Sequence, residues 1–303
     1  MVRALVNKIT NSPKLNRIYR LTIQSVDDYD NPIEQAIVIK DPLTLKFSVD
    51  RSVFAEINGA NIEIYNLSFD TYRQLFYDYY NVRKRTLILE AGYETTGYSI
   101  IFIGDVWSCY TSRNGTDVVT KIECLVGWKA LSVQTDATLA DISRNQILRY
   151  AANDMALDIQ IYSGEDKKFN RSVSIAGNSY KTIQKYSDDS AFIDNNVIKV
   201  LNTNDAFEGD VILINDESGL LGVPEHEDAL LTVKIMFEPR IMVGQVIEIQ
   251  SRIAPMFNGQ YKVFGIKHEG TISGSVSASA STTLECLVGS QVYGRFHIVK
   301  PQN

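Results

Sequence analysis

The chain is expected to fold as a β-rich α+β protein, with two β domains flanking a small α/β middle region. Three observations lead there. Of 303 residues, 45% are hydrophobic and 16 are Tyr and 12 Phe, and this composition with dense β-branched residues leans towards strand. Apolar and polar residues alternate with period two in the first and last thirds, the mark of half-buried strands. A six-residue segment also occurs twice, as Ile122-Glu123-Cys124-Leu125-Val126-Gly127 and as Leu284-Glu285-Cys286-Leu287-Val288-Gly289.

In the first third, Tyr19, Leu21 and Ile23 alternate with Arg20, Thr22 and Gln24, and Leu43, Leu45, Phe47 and Val49 with Thr44, Lys46 and Ser48. Ile62 and Ile64 continue the pattern against Asn61 and Glu63. A helix is expected next, capped by Ser68 and carrying Phe69, Tyr72, Leu75, Phe76 and Tyr79 at near-helical spacing. Strands resume at "TLILEAGY" and "SIIFIGDVW", and a hairpin is expected to turn at Asn114-Gly115. That dipeptide suits a type I′ turn, which needs positive φ at both central positions.

The middle changes character. Ile147, Leu148, Ala151, Ala152 and Met155 form one apolar helical stripe. A second short helix starts at Ser179 with Tyr180, Ile183 and Tyr186, and a small hairpin turns at Asn195-Asn196. "VILIND" reads as one more strand, and "ESGLLGVPEHED" as a loop broken by Pro224. After it, Leu231, Val233, Ile235 and Phe237 alternate with Thr232, Lys234 and Met236, followed by "GQVIEIQS", "GQYKVFGIKH" and the second copy of the hexapeptide. The expected division is 1–133, 134–224 and 225–303.

The repeat extends backwards. Gly104 lies twenty residues before Cys124, and Gly265 twenty-one before Cys286. Each unit then reads as an aliphatic strand with a glycine, a polar turn and a returning strand. Chance likeness of two hairpins is the alternative to two related β domains. Related domains require Ile122, Cys124 and Val126 to occupy the same topological position as Leu284, Cys286 and Val288.

Chemistry-bearing patterns are sparse. The net charge of −6 offers no electrostatic grip on nucleic acid, and Arg83-Lys84-Arg85 is short enough to be a solvated strand end. No apolar run approaches the ~20 residues that span a bilayer, and the N-terminus lacks a long apolar stretch, so neither membrane insertion nor a signal peptide is expected. Three cysteines without CxxC spacing argue against a disulfide framework or thiolate zinc site; Cys124 and Cys286 share parity with apolar neighbours and are expected to pack as small buried residues. His226 sits in an acidic loop, His268 at a strand end and His297 near the C-terminus, with no second ligand at metal spacing. Asp27-Asp28 and Asp188-Asp189 read as solvated neighbours. No catalytic, cofactor-binding or metal-ligating residue is assigned.

The motifs taken in order resemble a family. "NGANIEIYNLSFDTYRQL", "LILEAGY", "IFIGDV" and "TKIECLVG" are similar to the N-terminal part of phage baseplate hub proteins. That tail hub family includes the phage late control protein and the hub part of type VI secretion spike proteins. "RNQILRYAANDMAL", "LTVKIMFEPRIMVGQVIEIQS" and "NGQYKVFGIKHEG" resemble its middle helix, the start of its last domain and its closing hairpin.

The resemblance implies two tail-tube-like β-barrel domains in each chain, so that a homotrimer makes a pseudo-six-fold ring. One face would meet a hexameric tail tube and the other a separate central spike, with other baseplate proteins around it. DNA or the tape measure would pass through without sequence-specific binding. The implied place is the baseplate of a contractile tail, assembled in a host bacterial cytoplasm, and the implied role is structural. The chain ends soon after the second hexapeptide, which sets the expectation of a separate spike and no fused lysozyme. Two other classes stand beside this reading: a peptidoglycan or glycan hydrolase of the tail, and a carbohydrate-binding host-recognition module.

Overall fold

The computed structural model describes residues 14, 16–26, 32, 34–53, 57–75, 84–209, 211–227, 230–274, 278–287 and 296–302. Its first part holds β1 (Arg17–Val26), β2 (Ile37–Lys40), β3 (Leu45–Ser52), β4 (Gly59–Tyr65), α1 (Phe69–Leu75), β5 (Lys84–Tyr93), β6 (Gly97–Asn114) and β7 (Asp117–Leu125). The middle holds β8 (Gln134–Leu139), α2 (Arg144–Asp154), β9 (Asp158–Ile161), β10 (Val173–Asn178), α3 (Ser179–Tyr186), β11 (Ala191–Asp194), β12 (Val197–Val200), β13 (Asp205–Phe207) and β14 (Ile212–Asn215). The last part holds β15 (Glu225–Glu227), β16 (Leu230–Met236), β17 (Val246–Gln250), β18 (Gly259–Ile272), β19 (Ala280–Leu287) and β20 (His297–Val299).

The predicted strand faces hold. Tyr19, Leu21, Ile23, Leu45, Phe47, Val49, Ile62 and Ile64 are buried, while Arg20, Lys46 and Asn61 point outwards. The fold is β-rich, as expected, with a correction. In place of two separate barrels, one 13-stranded sheet runs β15-β16-β19-β18-β3-β4-β7-β6-β5-β1-β2, with β14 and β17 joined to it at β18. Among the described residues this order ends at β15 and β2, so it does not close. The physical reason is β18. At 14 residues it is long enough to pair β17 along Gly259–Lys262 and β3 along Gly265–Ile272 on the same edge.

The two hexapeptides occupy matching places. β7 lies between its hairpin partner β6 and β4, and β19 lies between its hairpin partner β18 and β16. The first unit therefore runs β3-β4-β7-β6-β5 and the second β15-β16-β19-β18-β17. Cys124 faces Val106 and Ala60; Cys286 faces Val263 and Leu231. Both hairpins carry a bulge at the same point, at Trp107 between Val106 and Ser108 and at Phe264 between Val263 and Gly265. Val288 and Gly289 lie outside the described residues.

This register corrects the alignment by glycines. Gly265 faces Glu285, so its counterpart is Ser108, which faces Glu123. Gly104 instead pairs with Leu87 of β5 and corresponds to Tyr261, which pairs with Ile247 of β17. The bulges hold the equivalence because they interrupt the ladder at a fixed distance from the cysteine.

Three local expectations also change. The hairpin after β6 turns at Gly115-Thr116, since Asn114 faces Asp117. Only Gly115 has positive φ there, at 63°, the pattern of a type II′ turn with Gly first. In α1, Ser68 Oγ accepts from the Thr71 amide at 3.2 Å, yet Phe69 is 70% exposed and Leu75 alone is fully buried. Phe76 and Tyr79, the rest of the stripe, lie outside the described residues. Finally, β14 pairs in parallel with β17 of the large sheet and β13 with β20 in a two-stranded sheet of their own, so strands of the middle region pair with strands of the last part.

The middle elements otherwise form as read. Ser143 caps α2 through a capping box with Gln146, and the stripe Ile147, Leu148, Ala151, Ala152, Met155 is buried. Asn178 caps α3. Asn195 and Asn196 take positive φ between β11 and β12, at 52° and 58°, as a type I′ turn requires. No helix among the described residues is long and apolar enough to cross a membrane.

Candidate functional site: the joint between the two β units

Where β18 meets β3, the two units share one ladder and the hairpin β11–β12 packs beneath it. All four residues of β11 are buried. Ala191 and Ile193 join the core of the first unit and Phe192 that of the second, because successive strand residues face opposite ways. At the hairpin tip, Asn195 Oδ1 accepts from the Ile103 amide at 2.9 Å and Asn196 Oδ1 from the Gly127 amide at 3.2 Å. Asn58 Nδ2 donates to Ile193 O at 2.9 Å.

A charged cluster sits inside this joint. Arg51 and Asp194 are 2% and 1% exposed. Arg51 Nε and Nη2 donate to the two Asp194 carboxylate oxygens at 2.7 and 2.9 Å, and its Nη1 reaches Ile101 O at 3.2 Å. Lys199 Nζ adds a bond to Asp194 Oδ2 at 2.8 Å. Burial alone would raise the Asp194 carboxyl; the charges and hydrogen bonds of Arg51 and Lys199 outweigh it and hold it well below the usual carboxylate range.

The second unit reaches across in the same way. Phe237, after β16, lies in the core of the first unit. Its ring meets Phe47 edge-on with centroids 5.8 Å apart, and its carbonyl accepts from Tyr93 Oη at 2.7 Å. Glu238 takes a bidentate pair from Arg240 at 2.7 and 2.8 Å, with Lys14 Nζ 3.6 Å away.

The candidate residues scatter instead of converging. His268, fully buried, shares a 2.8 Å hydrogen bond with Thr282 Oγ1 and lies against the Phe237 ring. Burial, with Arg51 nearby, pushes it down to about 3, so it is neutral. His226 is exposed in β15 and stacks on Phe257, and His297 is exposed in β20, 3.4 Å from Asp205. Asp188 and Asp189 are exposed in the turn after α3; Asp27 and Asp28 lie outside the described residues. Burial raises the Cys124 and Cys286 thiols well above their ordinary value, which disfavours the nucleophilic thiolate. No group of three or more His, Cys, Asp or Glu positioned to hold a metal occurs among the described residues.

The cluster that does converge was not singled out from sequence, although a signal exists. After Leu45, Phe47 and Val49, the next inward position of β3 is Arg51. A charge at inward parity marks a buried partner, but Asp194 is 143 residues away and only the fold brings it there.

His268 makes stability depend on pH. Its folded value lies below the ordinary histidine value near 6.5, so between pH 6.5 and about 3 the unfolded chain binds the extra proton. Stability is full above pH 6.5 and is expected to fall by up to about 1.4 kcal/mol per unit as pH drops through that window. Denaturant titrations from pH 7 to 4 should show a shallower slope for His268→Gln than for wild type; equal slopes would exclude a buried neutral His268.

Solved structures place this fold, a duplicated sheet motif with a buried joint, among phage tail proteins. The 43 kDa tail protein of prophage MuSo2 from Shewanella oneidensis matches with a TM-score of 0.58 and 6% identity, over 89% of this chain and 96% of that one. A tail protein from Neisseria meningitidis matches with a TM-score of 0.59 and 7% identity, over 90% and 97%. An Escherichia coli component of the type VI secretion system, described as structurally similar to bacteriophage T4 tail proteins gp27 and gp5, matches with a TM-score of 0.54 and 10% identity, over 86% and 77%. A search of curated proteins returned no match. A family profile described as baseplate hub gp41 matches residues 20–271. The chain belongs to that baseplate hub family, and its role is structural, in the phage tail.

Proposed function

We propose that the chain is the adaptor ring of a contractile tail baseplate. Three copies form a pseudo-six-fold ring, one face receiving the hexameric tail tube and the other a separate central spike, with other baseplate proteins at the periphery. Each chain supplies two tube-like β units, 1–133 and 225–303, about a middle region, 134–224. The single observation that carries this is the duplicated strand order, β3-β4-β7-β6-β5 and β15-β16-β19-β18-β17. Two like units per chain let a three-fold assembly present six like positions.

The ring would line part of the path for DNA or the tape measure, and a net charge of −6 disfavours adhesion of a polyanion. The role is mechanical, not enzymatic: of the buried acids, Asp194 and Glu238 sit in ion pairs with Arg51 and Arg240, and Asp105 accepts from Thr86 Oγ1 at 3.3 Å. Assembly would occur in the host bacterial cytoplasm, without stable membrane insertion. Sedimentation of the purified chain should give three times 34.0 kDa, and imaged tails should show it between tube and spike. A chain that stays monomeric and takes no place in tails would sink this reading.

A further inference from the structure

Residues 296–302 follow the second unit in sequence but are held by the middle region. β20 adds to β13 as a parallel strand, with His297 against Asp205, Ile298 against Ala206 and Val299 against Phe207. The His297 amide donates to Asn204 O at 3.1 Å and the Glu208 amide to Val299 O at 3.2 Å. Phe296 packs on Ala206, Val211 and Val246, and Val299 on the core of the second unit. Pro301 has no N–H to continue a ladder, so the strand stops there and Gln302 enters a site of its own.

Gln302 is bound through all of its polar groups. Its main-chain amide donates to Ile161 O at 2.7 Å, and its carbonyl accepts from Arg149 Nη2 at 2.9 Å. In the side chain, Nε2 donates to Gly164 O at 3.1 Å and Oε1 accepts from Asn145 Nδ2 at 2.9 Å. The Asn145 amide is fixed from behind, because its Oδ1 accepts from Arg144 Nη1 at 3.1 Å and so leaves Nδ2 for Gln302. Arg144 is itself anchored by Tyr186 O, 2.7 Å from its Nε. Gly164 has a φ of 94°, and a Cβ there would lie 2.6 Å from the Arg144 guanidinium, so a side chain at 164 would disturb the same anchor. The site therefore meets a carbonyl oxygen with a donor and an NH₂ group with an acceptor. A carboxylate, which only accepts, would turn one oxygen against the Gly164 carbonyl.

We infer that α2, β9 and β13 form a peptide-recognition site, which reads an extended segment by parallel strand addition and a glutamine by its amide, and that residues 296–302 are a detachable strap seated in it. Main-chain pairing supplies the binding in such sites and side-chain pockets the selectivity. The strap is the member that yields. It pairs along only three residues, the His297 side chain is 79% exposed and Ile298 is 50% exposed, and a segment with few buried apolar contacts opens at lower free energy than a sheet core. Seated, it fastens the middle region to the second unit, since Gln302 holds α2 and β9 while Phe296 packs on Val246 of β17. Released, it leaves the carbonyls of Ile161, Gly164 and Asn204 and the Asn145 amide to another peptide of the same pattern, a short strand with glutamine five residues after its first paired residue.

The test uses the full chain. In native-state hydrogen exchange, the amides of His297, Gln302 and Glu208 should exchange together and faster than those of β7 and β19. Gln302→Glu and, separately, Arg149→Ala on the exposed side of α2 should each speed that exchange about tenfold, the worth of one net hydrogen bond, and leave β7 and β19 unchanged. A fluorescein-labelled, amidated peptide of residues 296–302 should then bind the Gln302→Glu chain and raise the anisotropy, and the same peptide ending in Glu should bind at least about tenfold more weakly. Strap amides that exchange only as slowly as the sheet, or that neither variant affects, overturn the detachable strap. Two peptides that bind alike, or neither binding, overturn glutamine recognition.

Discussion

Arg51→Met should remove about 3–5 kcal/mol of stability, the usual cost of stripping one partner from a buried ion pair. The substitution keeps much of the side-chain volume, so the loss measures charge rather than a cavity. It leaves Asp194, 1% exposed, with Lys199 as its remaining cation, and it releases the donor to Ile101 O. The pH dependence gives a second readout. The Asp194 carboxyl is held below its ordinary value in the folded chain, so its contribution is complete above about pH 4 and is lost as pH falls below that. In Arg51→Met the folded value rises, and the variant's deficit relative to wild type should narrow in acid. The joint double variant Arg51→Met with Asp194→Leu should recover part of the loss, because it removes the stranded carboxylate, while Lys199, 13% exposed, loses its partner. A single variant within about 1 kcal/mol of wild type in urea titration would show that the cluster does not hold the joint.

Phe237→Ala should be comparably costly, about 3–5 kcal/mol. Phe237 is fully buried, and its ring contacts Phe47 and Tyr93 of the first unit and His268 of the second. Truncation would open a cavity at the place where the two units meet, while the Phe237 carbonyl would still accept from Tyr93 Oη. The expected signature is a loss of cooperativity between units as well as of stability. Proteolysis near the joint and two separated unfolding transitions would accompany it; one transition at the wild-type midpoint would exclude the role assigned to Phe237.

Much of this molecule could be read in its sequence. The strand faces of β1, β3, β4 and β16, the stripe of α2 and the Asn195-Asn196 turn rest on local rules, on parity, helical spacing and φ preference, and local rules act before the chain folds. The twin hexapeptides belong here too: their cysteines pack in matching strands of a repeated motif. Where local rules failed, competition between neighbours was the cause. The φ preferences of Asn114-Gly115 favour a turn centred on that pair, but the ladder from Asp105 to Asn114 against β7 takes Asn114 into the strand. Gly104 and Gly265 lie at similar distances from the cysteines, but the bulges at Trp107 and Phe264 set the register.

Long-range placement was decided by the tertiary structure. Parity puts Arg51 inside, yet nothing local names Asp194 as its partner. Two β regions are legible at the ends of the chain, yet one sheet joins them, because β18 outruns β17 and leaves an edge that β3 fills. Which edge β3 fills depends on lengths and registers set across the whole sheet. Sequence alone determined which strand faces are buried and offered a repeated hexapeptide; the fold decided that the repeats lie in like units and how those units meet, because a strand's pattern records which face is buried and carries no mark of which edge is taken.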